Sequence, residues 1–335
     1  MEAFKWGIIG PGSIAHDFIE DLAHVSSPQK VQAVLGRREE KTKKFAEEFN
    51  IPQYFTDLEK FLAETTLDGV YVATPHSLHH KQMIACLDKK IPVLCEKPMA
   101  INKEQIHDMI KSSKSNNTFL MEGMWIRFLP SIKKILEIIA SGKIGNIITV
   151  RANLTYKAPR DEDNRYFNPD LAGGSLLDLG VYPVFLTVLL LGKPKAIKAF
   201  ANLTDEKVDE TCAALLQYEK SQIAIIDSSF ITQHEAIAEI LGDKGAIRIG
   251  SQWNEKPSEL KLTIYKSEGR NDDEVITDKP EWPGHGFQFE VEEMLECIKN
   301  KKSQSDQLSH DLSLALMETM DAIRDQVGIR YDKFE

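Results

Sequence analysis

The chain has little of what would point to an extracellular, membrane or nucleic-acid setting. Its four cysteines, Cys86, Cys95, Cys212 and Cys297, are too scattered for a C-x-x-C pair or a disulfide framework. They read as small core residues of a reducing compartment. Basic residues are in the minority, 41 Lys and Arg against 51 Asp and Glu, and they form no stripe. The resulting net charge of -10 disfavours a surface built for phosphate backbones, so no nucleic-acid partner is expected. No apolar run approaches bilayer length, so no membrane partner is expected either. Met1 to Trp6 runs straight into a strand pattern with no basic leader or cleavage site, which makes the cytoplasm the expected location. Repeats and low-complexity tracts are also lacking.

At 335 residues the chain exceeds the size at which one hydrophobic core stops growing, so two domains are expected, 1–122 and 123–335. The first third alternates short apolar runs with helical patterns. Strands are expected at Lys5–Gly10, Val31–Gly36, Gly69–Ala73, Pro92–Cys95 and Thr118–Met121, with helices between them. This ordering predicts an α/β, doubly wound parallel sheet of the Rossmann kind. Beyond Met124, β-type runs follow one another with turns between, among them Ile147–Tyr156, Thr211–Tyr218 and Gln222–Ser229. A helix is expected near Leu176–Leu191, closing helices at Gly286–Asn300 and Leu312–Val327, and an exposed loop at Ser267–Asp278. The second domain is therefore expected to be α+β, with a large, mainly antiparallel open sheet.

After the first strand stands Gly10-Pro11-Gly12-Ser13-Ile14-Ala15, a G-x-G-x-x-A turn. Gly10 permits a tight turn, the absence of a side chain at Gly12 lets a diphosphate approach, and Ala15 lets helix pack on strand. Such a turn is common by itself, but here it opens a βαβ unit at the expected place. An NAD-selective site would carry an acid at the end of the second strand, where this chain has Gly36-Arg37-Arg38. Arginine forks onto a 2′-phosphate, so NADP is favoured over NAD, with a solvated basic helix start as the bland alternative that Glu39 and Glu40 keep open.

Following the fourth strand is Cys95-Glu96-Lys97-Pro98-Met99, at the sheet edge where doubly wound folds bind ligands. A surface lysine is ordinarily solvated. Lys97 instead follows a buried run and is pinned by Pro98, which favours a chemical role and allows a cis Lys-Pro bond. In the second half, Gly173-Gly174-Ser175-Leu176-Leu177-Asp178-Leu179-Gly180-Val181-Tyr182-Pro183 puts Asp178 and Tyr182 four residues apart on one helical face. Hydride transfer at a carbinol needs a proton acceptor. A free phenol, with a pKa near ~10, serves only when a neighbouring ammonium such as that of Lys97 favours the phenolate. The alternatives are a helix-capping aromatic and a first-turn charge on the helix dipole.

The E-K-P segment with G-G-S-x-x-D-x-G-x-Y resembles the Gfo/Idh/MocA oxidoreductases, over nearly the whole chain. Ala73-Thr74-Pro75-His76-Ser77-Leu78-His79 and Gly286-Phe287-Gln288-Phe289-Glu290 add to it. Glu122 to Phe128 narrows it to the branch containing dihydrodiol and NADP-dependent D-xylose dehydrogenases. The resemblance implies a nucleotide-binding domain, an α+β domain whose open sheet packs on a second subunit, and a homodimer or higher homo-oligomer. It makes Lys97 the lysine beside nicotinamide and substrate, and Asp178 the aspartate of the family's D-x-G-x-H motif. Tyr182 stands where most members have histidine, as in the dihydrodiol branch, and becomes the proton donor. Thr74, Pro75, His76, His79 and Glu96 are expected in the cofactor cleft, Trp125 and Arg127 beside cofactor or substrate, and Phe128 beside the substrate ring. Core packing is an alternative for Trp125. His80 is read as a helix-surface residue, and no metal is expected, since no carboxylate or cysteine cluster completes a shell around these histidines. The implied activity is oxidation of a sugar, polyol or cyclic diol. The alternatives are a silent NADP-binding regulator and a reductase of an imine or double bond.

Overall fold

Phe4–Ile9 (β1) is apolar at nearly every position, and Trp6, Ile8 and Ile9 have no exposed surface. A strand so apolar on both faces belongs in the middle of a sheet covered on both sides. In the computed structural model, which describes residues 2–160, 165–266 and 273–334, β1 does lie inside a six-stranded sheet. Its neighbours are Gln29–Leu35 (β2), Gln53–Phe55 (β3), Gly69–Val72 (β4), Val93–Glu96 (β5) and Leu120–Gly123 (β6). All pairings are parallel, in the order β3-β2-β1-β4-β5-β6. The order reverses direction at β1, which opens a crevice at the carboxyl ends of β1 and β4. Connecting helices are Ser13–Asp21 (α1), Glu39–Glu48 (α2), Leu58–Glu64 (α3), His76–Asp88 (α4) and Lys103–Asn116 (α5).

The chain forms two compact units: residues 1–125 with 283–314, and residues 126–282 with 315–335. In the first, the returning Phe287–Lys299 (α8) is anchored by Asp21, the last residue of α1, whose carboxylate accepts from His285 N, Gly286 N and Phe287 N at 2.7 to 2.9 Å. These are the orphan donors of a helix start, satisfied by a carboxylate from another helix. Phe287 then packs edge-on to Phe18, which stacks on Tyr71 at 3.7 Å.

The second unit holds an eight-stranded sheet. Its strands are Ile147–Thr155 (β7), Ala196–Leu203 (β8), Asp209–Gln217 (β9), Ile223–Ser229 (β10), Ala238–Gly242 (β11), Gly245–Ile249 (β12), Leu260–Ile264 (β13) and Glu274–Asp278 (β14). Every ladder is antiparallel except that of β10 with β7. Val181–Leu191 (α7) packs on β7 and β10. Burial alternates along β8, the second half of β9 and the first half of β10. The outward face thus exposes Phe200, Leu215, Ile223 and Ile225.

Two sequence expectations need correction, and one helix falls where no element was expected. Pro130–Ala140 is that helix (α6), with Ile132, Ile135 and Ile138 buried at helical spacing. In the expected loop, Glu274–Asp278 is an edge strand; residues 267–272 of that loop lie outside the described residues. With both faces in solvent, β14 has no burial alternation to reveal it. Lastly, Pro169–Leu191 is one helical stretch long and apolar enough to cross a bilayer. Most of it is buried within the protein, which accounts for its apolarity as core.

Candidate active site

The cofactor fingerprint occupies the carboxyl end of β1. Gly10 has φ of +103°, and a Cβ there would stand 2.6 Å from the Ala73 carbonyl, so only glycine fits the close passage of β1 and β4. Gly12 is the opposite case. It caps α1 without any side-chain hydrogen bond, and a Cβ built on it meets nothing within 4 Å. The space over a helix N-terminus, with its backbone N–H groups unclaimed by a side chain, suits a diphosphate. Ser13 is exposed and Ile14 half-buried beside it. Gly36 lies close enough to Pro11 that a Cβ would approach its Cγ to 2.7 Å, and the chain then delivers the exposed Arg37 and Arg38 at the start of α2. The residues present therefore fit a nicotinamide dinucleotide.

Lys97 follows β5 on a loop tied down from three directions. Tyr71 Oη donates to Glu96 Oε1 at 2.5 Å, and burial, followed by the charge of Glu96, raises the Tyr71 pKa well above its ordinary value. Met99 N donates to Glu122 Oε1 at 3.0 Å, and Ser313 Oγ donates to the other Glu122 oxygen at 2.6 Å. Burial raises the Glu122 pKa against the pull of these bonds. His79 has no exposed surface and sets Nε2 2.7 Å from the Thr74 carbonyl and Nδ1 3.1 Å from the Pro98 carbonyl. It thus joins the Thr74-Pro75 turn to the lysine loop. The Lys97-Pro98 bond is cis, as the sequence allows. Lys97 itself is half-buried, Thr74 Oγ1 donates to Gln82 Oε1 at 2.6 Å, and His76 is buried one turn before His80. His80 is half-buried and 3.5 Å from Asp108.

In the second unit, Leu176–Gly180 is a π-helical turn leading into α7, not the regular helix expected from sequence. Pro183 has no N–H to close an α-turn onto Leu179, which accounts for the widened geometry just before it. Asp178 and Tyr182 are both buried on this segment. Its start is clamped by Asp209, which accepts from Ser175 Oγ at 2.8 Å and from Leu176 N at 2.7 Å. Desolvation raises the Asp209 pKa although both bonds lower it. Asp178 is forked by Arg165, with Nη1 to Oδ1 at 3.1 Å and Nη2 to Oδ2 at 3.3 Å.

Trp125 is buried and stacked on Phe287 at 4.8 Å, with an indole N–H that finds no hydrogen-bond partner among the described residues. Phe128 has no exposed surface. Arg127 is half-buried. Sequence reasoning missed Tyr71, Glu122, Arg165 and Asp209. All four act through partners distant in the chain. Among the described residues, one trio has metal-ligand spacing, His16, Asp17 and Glu20, and it lies on the partly exposed side of α1 with His16 already 2.9 Å from Glu48.

Residues 4–124 match an oxidoreductase family described by its NAD-binding Rossmann fold, and residues 132–248 match the Gfo/Idh/MocA C-terminal domain. The chain belongs to the Gfo/Idh/MocA oxidoreductase family. A trans-1,2-dihydrobenzene-1,2-diol dehydrogenase of Xenopus tropicalis is 32% identical, covering 98% of this chain and 99% of its own. An NADP(+)-dependent scyllo-inositol 2-dehydrogenase of Bacillus subtilis is also 32% identical, covering 98% of both chains. The aldose-aldose oxidoreductase of Caulobacter crescentus, solved with glycerol, shares the fold with a TM-score of 0.85 at 22% identity over 98% of each chain. Membership makes this Gfo/Idh/MocA chain a nicotinamide-dinucleotide-dependent oxidoreductase.

Proposed function

We propose that the protein is an NADP-dependent dehydrogenase that oxidises a CH–OH group of a sugar, polyol or cyclic diol. The observation that carries this reading is the joint presence of Lys97, Asp178 and Tyr182 in a family member whose full-length relatives act on a dihydrodiol and an inositol. When bound, the nicotinamide supplies the hydride acceptor. Tyr182 takes the hydroxyl proton during oxidation and returns it during reduction. Lys97 favours the phenolate through its positive charge. Asp178 orients the substrate by accepting from a hydroxyl. Gly10, Gly12, Ser13 and Ile14 would hold the diphosphate, and Arg37 and Arg38 a 2′-phosphate.

Two further readings accompany this one. The exposed apolar face formed by Phe200, Leu215, Ile223 and Ile225 supports a homodimer built on the open sheet, since a patch of this kind favours burial against a partner. Light scattering should then report twice the 37.9 kDa chain mass, and a monomer at micromolar concentration would refute it. The scattered, buried free thiols support a cytoplasmic enzyme, which fractionation of the source cells would test.

The experiment is a fluorescence titration with NADPH and NADH, followed by absorbance assays of scyllo-inositol, D-xylose and a trans-dihydrodiol with NADP. Tight NADPH binding with turnover of at least one alcohol is expected. Cofactor binding with no alcohol oxidised would instead mark a regulator, and reduction of only an imine or a double bond would mark a different reaction.

A further inference from the structure

The Arg165 guanidinium meets both oxygens of Asp178 from a separate short turn, Arg165–Phe167, and the surrounding sequence is shaped to hold it there. A Cβ on Gly173 would stand 2.6 Å from the Arg165 carbonyl and 2.7 Å from that of Tyr166, so a side chain at this position would push the turn away. Gly174 N donates to the Tyr166 carbonyl at 2.8 Å, and Gly173 N to the Asn168 carbonyl at 3.0 Å. Beneath the guanidinium lies the Tyr166 ring, 5.0 Å from it, itself packed against Tyr156 and Phe230. Gly173 thus lets the Arg165 turn close against the segment that carries Asp178, whereas a Cβ on Gly174 would meet the Asp209 carboxylate instead.

We infer that Arg165 is a positioning residue for Asp178, fixing the plane of its carboxylate and thereby setting the affinity of the site for a substrate hydroxyl. This rests on the proposed role of Asp178 in orienting substrate. A single-point contact would leave the carboxylate free to turn about its last bond, whereas a two-pronged fork sets both oxygens at once. A carboxylate has about four acceptor positions and the fork takes one on each oxygen, so the fork by itself does not bar a hydroxyl from Asp178. The Asp178 side chain is only 9% exposed and that of Arg165 is 43% exposed. The arginine is therefore the half of the pair that reaches solvent, and its removal leaves a charge in a buried place.

The test compares Arg165→Met, Arg165→Lys, Asp178→Asn and the Arg165→Met/Asp178→Asn double variant in steady-state oxidation of the best alcohol of the panel, with NADPH affinity measured by fluorescence. Arg165→Met should raise KM at least tenfold with a smaller change in kcat and unchanged NADPH affinity. Arg165→Lys should recover part of that loss. The double variant should be no worse than Asp178→Asn alone, because both changes remove the same function. An unchanged KM in Arg165→Met, or losses that multiply in the double variant, would overturn the inference while the wild-type activity stands. A wild-type protein that oxidises nothing in the panel overturns the dehydrogenase reading itself, and with it the role assigned to Arg165.

Discussion

Asp209 holds Ser175: its buried carboxylate accepts from the Ser175 hydroxyl at 2.8 Å and from the next backbone N–H, that of Leu176, at 2.7 Å. The π-helical turn bearing Asp178 therefore starts from a fixed point. Ser175→Ala should cost about 1–3 kcal/mol, the usual loss when a buried polar group loses its hydrogen-bond partner. Urea unfolding monitored by circular dichroism would measure it. A midpoint equal to that of the wild type would show that the clamp contributes nothing to stability.

The two glycines of the fingerprint should fail in different ways. Gly10→Ala forces a Cβ against the Ala73 carbonyl at positive φ and should lower the melting temperature. Gly12→Val adds its side chain to open space and should leave melting unchanged while weakening NADPH binding at least tenfold. Calorimetry and fluorescence titration separate the two outcomes. Unchanged NADPH affinity in Gly12→Val would mean that the space over α1 is not a ligand cradle.

Glu290 supplies a prediction in pH. It is fully buried on α8, neither carboxylate oxygen has a hydrogen-bond partner among the described residues, and its pKa is raised well above the usual value by burial, then by the charges of Glu96 and Asp21. As pH rises through the ordinary carboxylate range the unfolded chain releases this proton first, so the folded state loses relative stability until its own raised pKa is passed. Glu290→Gln removes that liability. Its melting temperature should match the wild type near pH 4 and exceed it increasingly toward pH 8. Curves that stay parallel across the range would show that Glu290 is ionised in the folded protein.

Selectivity for NADP is tested at Arg37 and Arg38. Replacing both with Ala should weaken NADPH binding about 10- to 100-fold, the range for losing charge-assisted bonds to a phosphate, and leave NADH binding unaffected. Equal losses for both cofactors would move these side chains away from the 2′-phosphate.

What was legible in the sequence was what local spacing encodes. The glycine turn, the lysine after β5 and the Asp178–Tyr182 pair could all be read because each motif lies within a dozen residues of its own element. The parallel sheet was legible because its strands are continuous apolar runs. Contacts across the chain were not. Arg165 sits 13 residues before Asp178, Asp209 lies 34 residues beyond Ser175, and Ser313 reaches Glu122 across 191 residues. No periodicity announces such partners. The three-residue β3 was too short to carry alternation. The return of Pro283–Leu314 to the first unit is likewise a tertiary event, fixed by Asp21 at the start of α8.

The most direct test of the account is Tyr182→Phe, assayed for alcohol oxidation with NADP alongside NADPH binding. Loss of the phenol should reduce turnover by at least 100-fold, the scale of general acid–base assistance, with NADPH affinity unchanged. Turnover within a factor of two of the wild type would contradict the account, because the hydroxyl proton would then be leaving by another route.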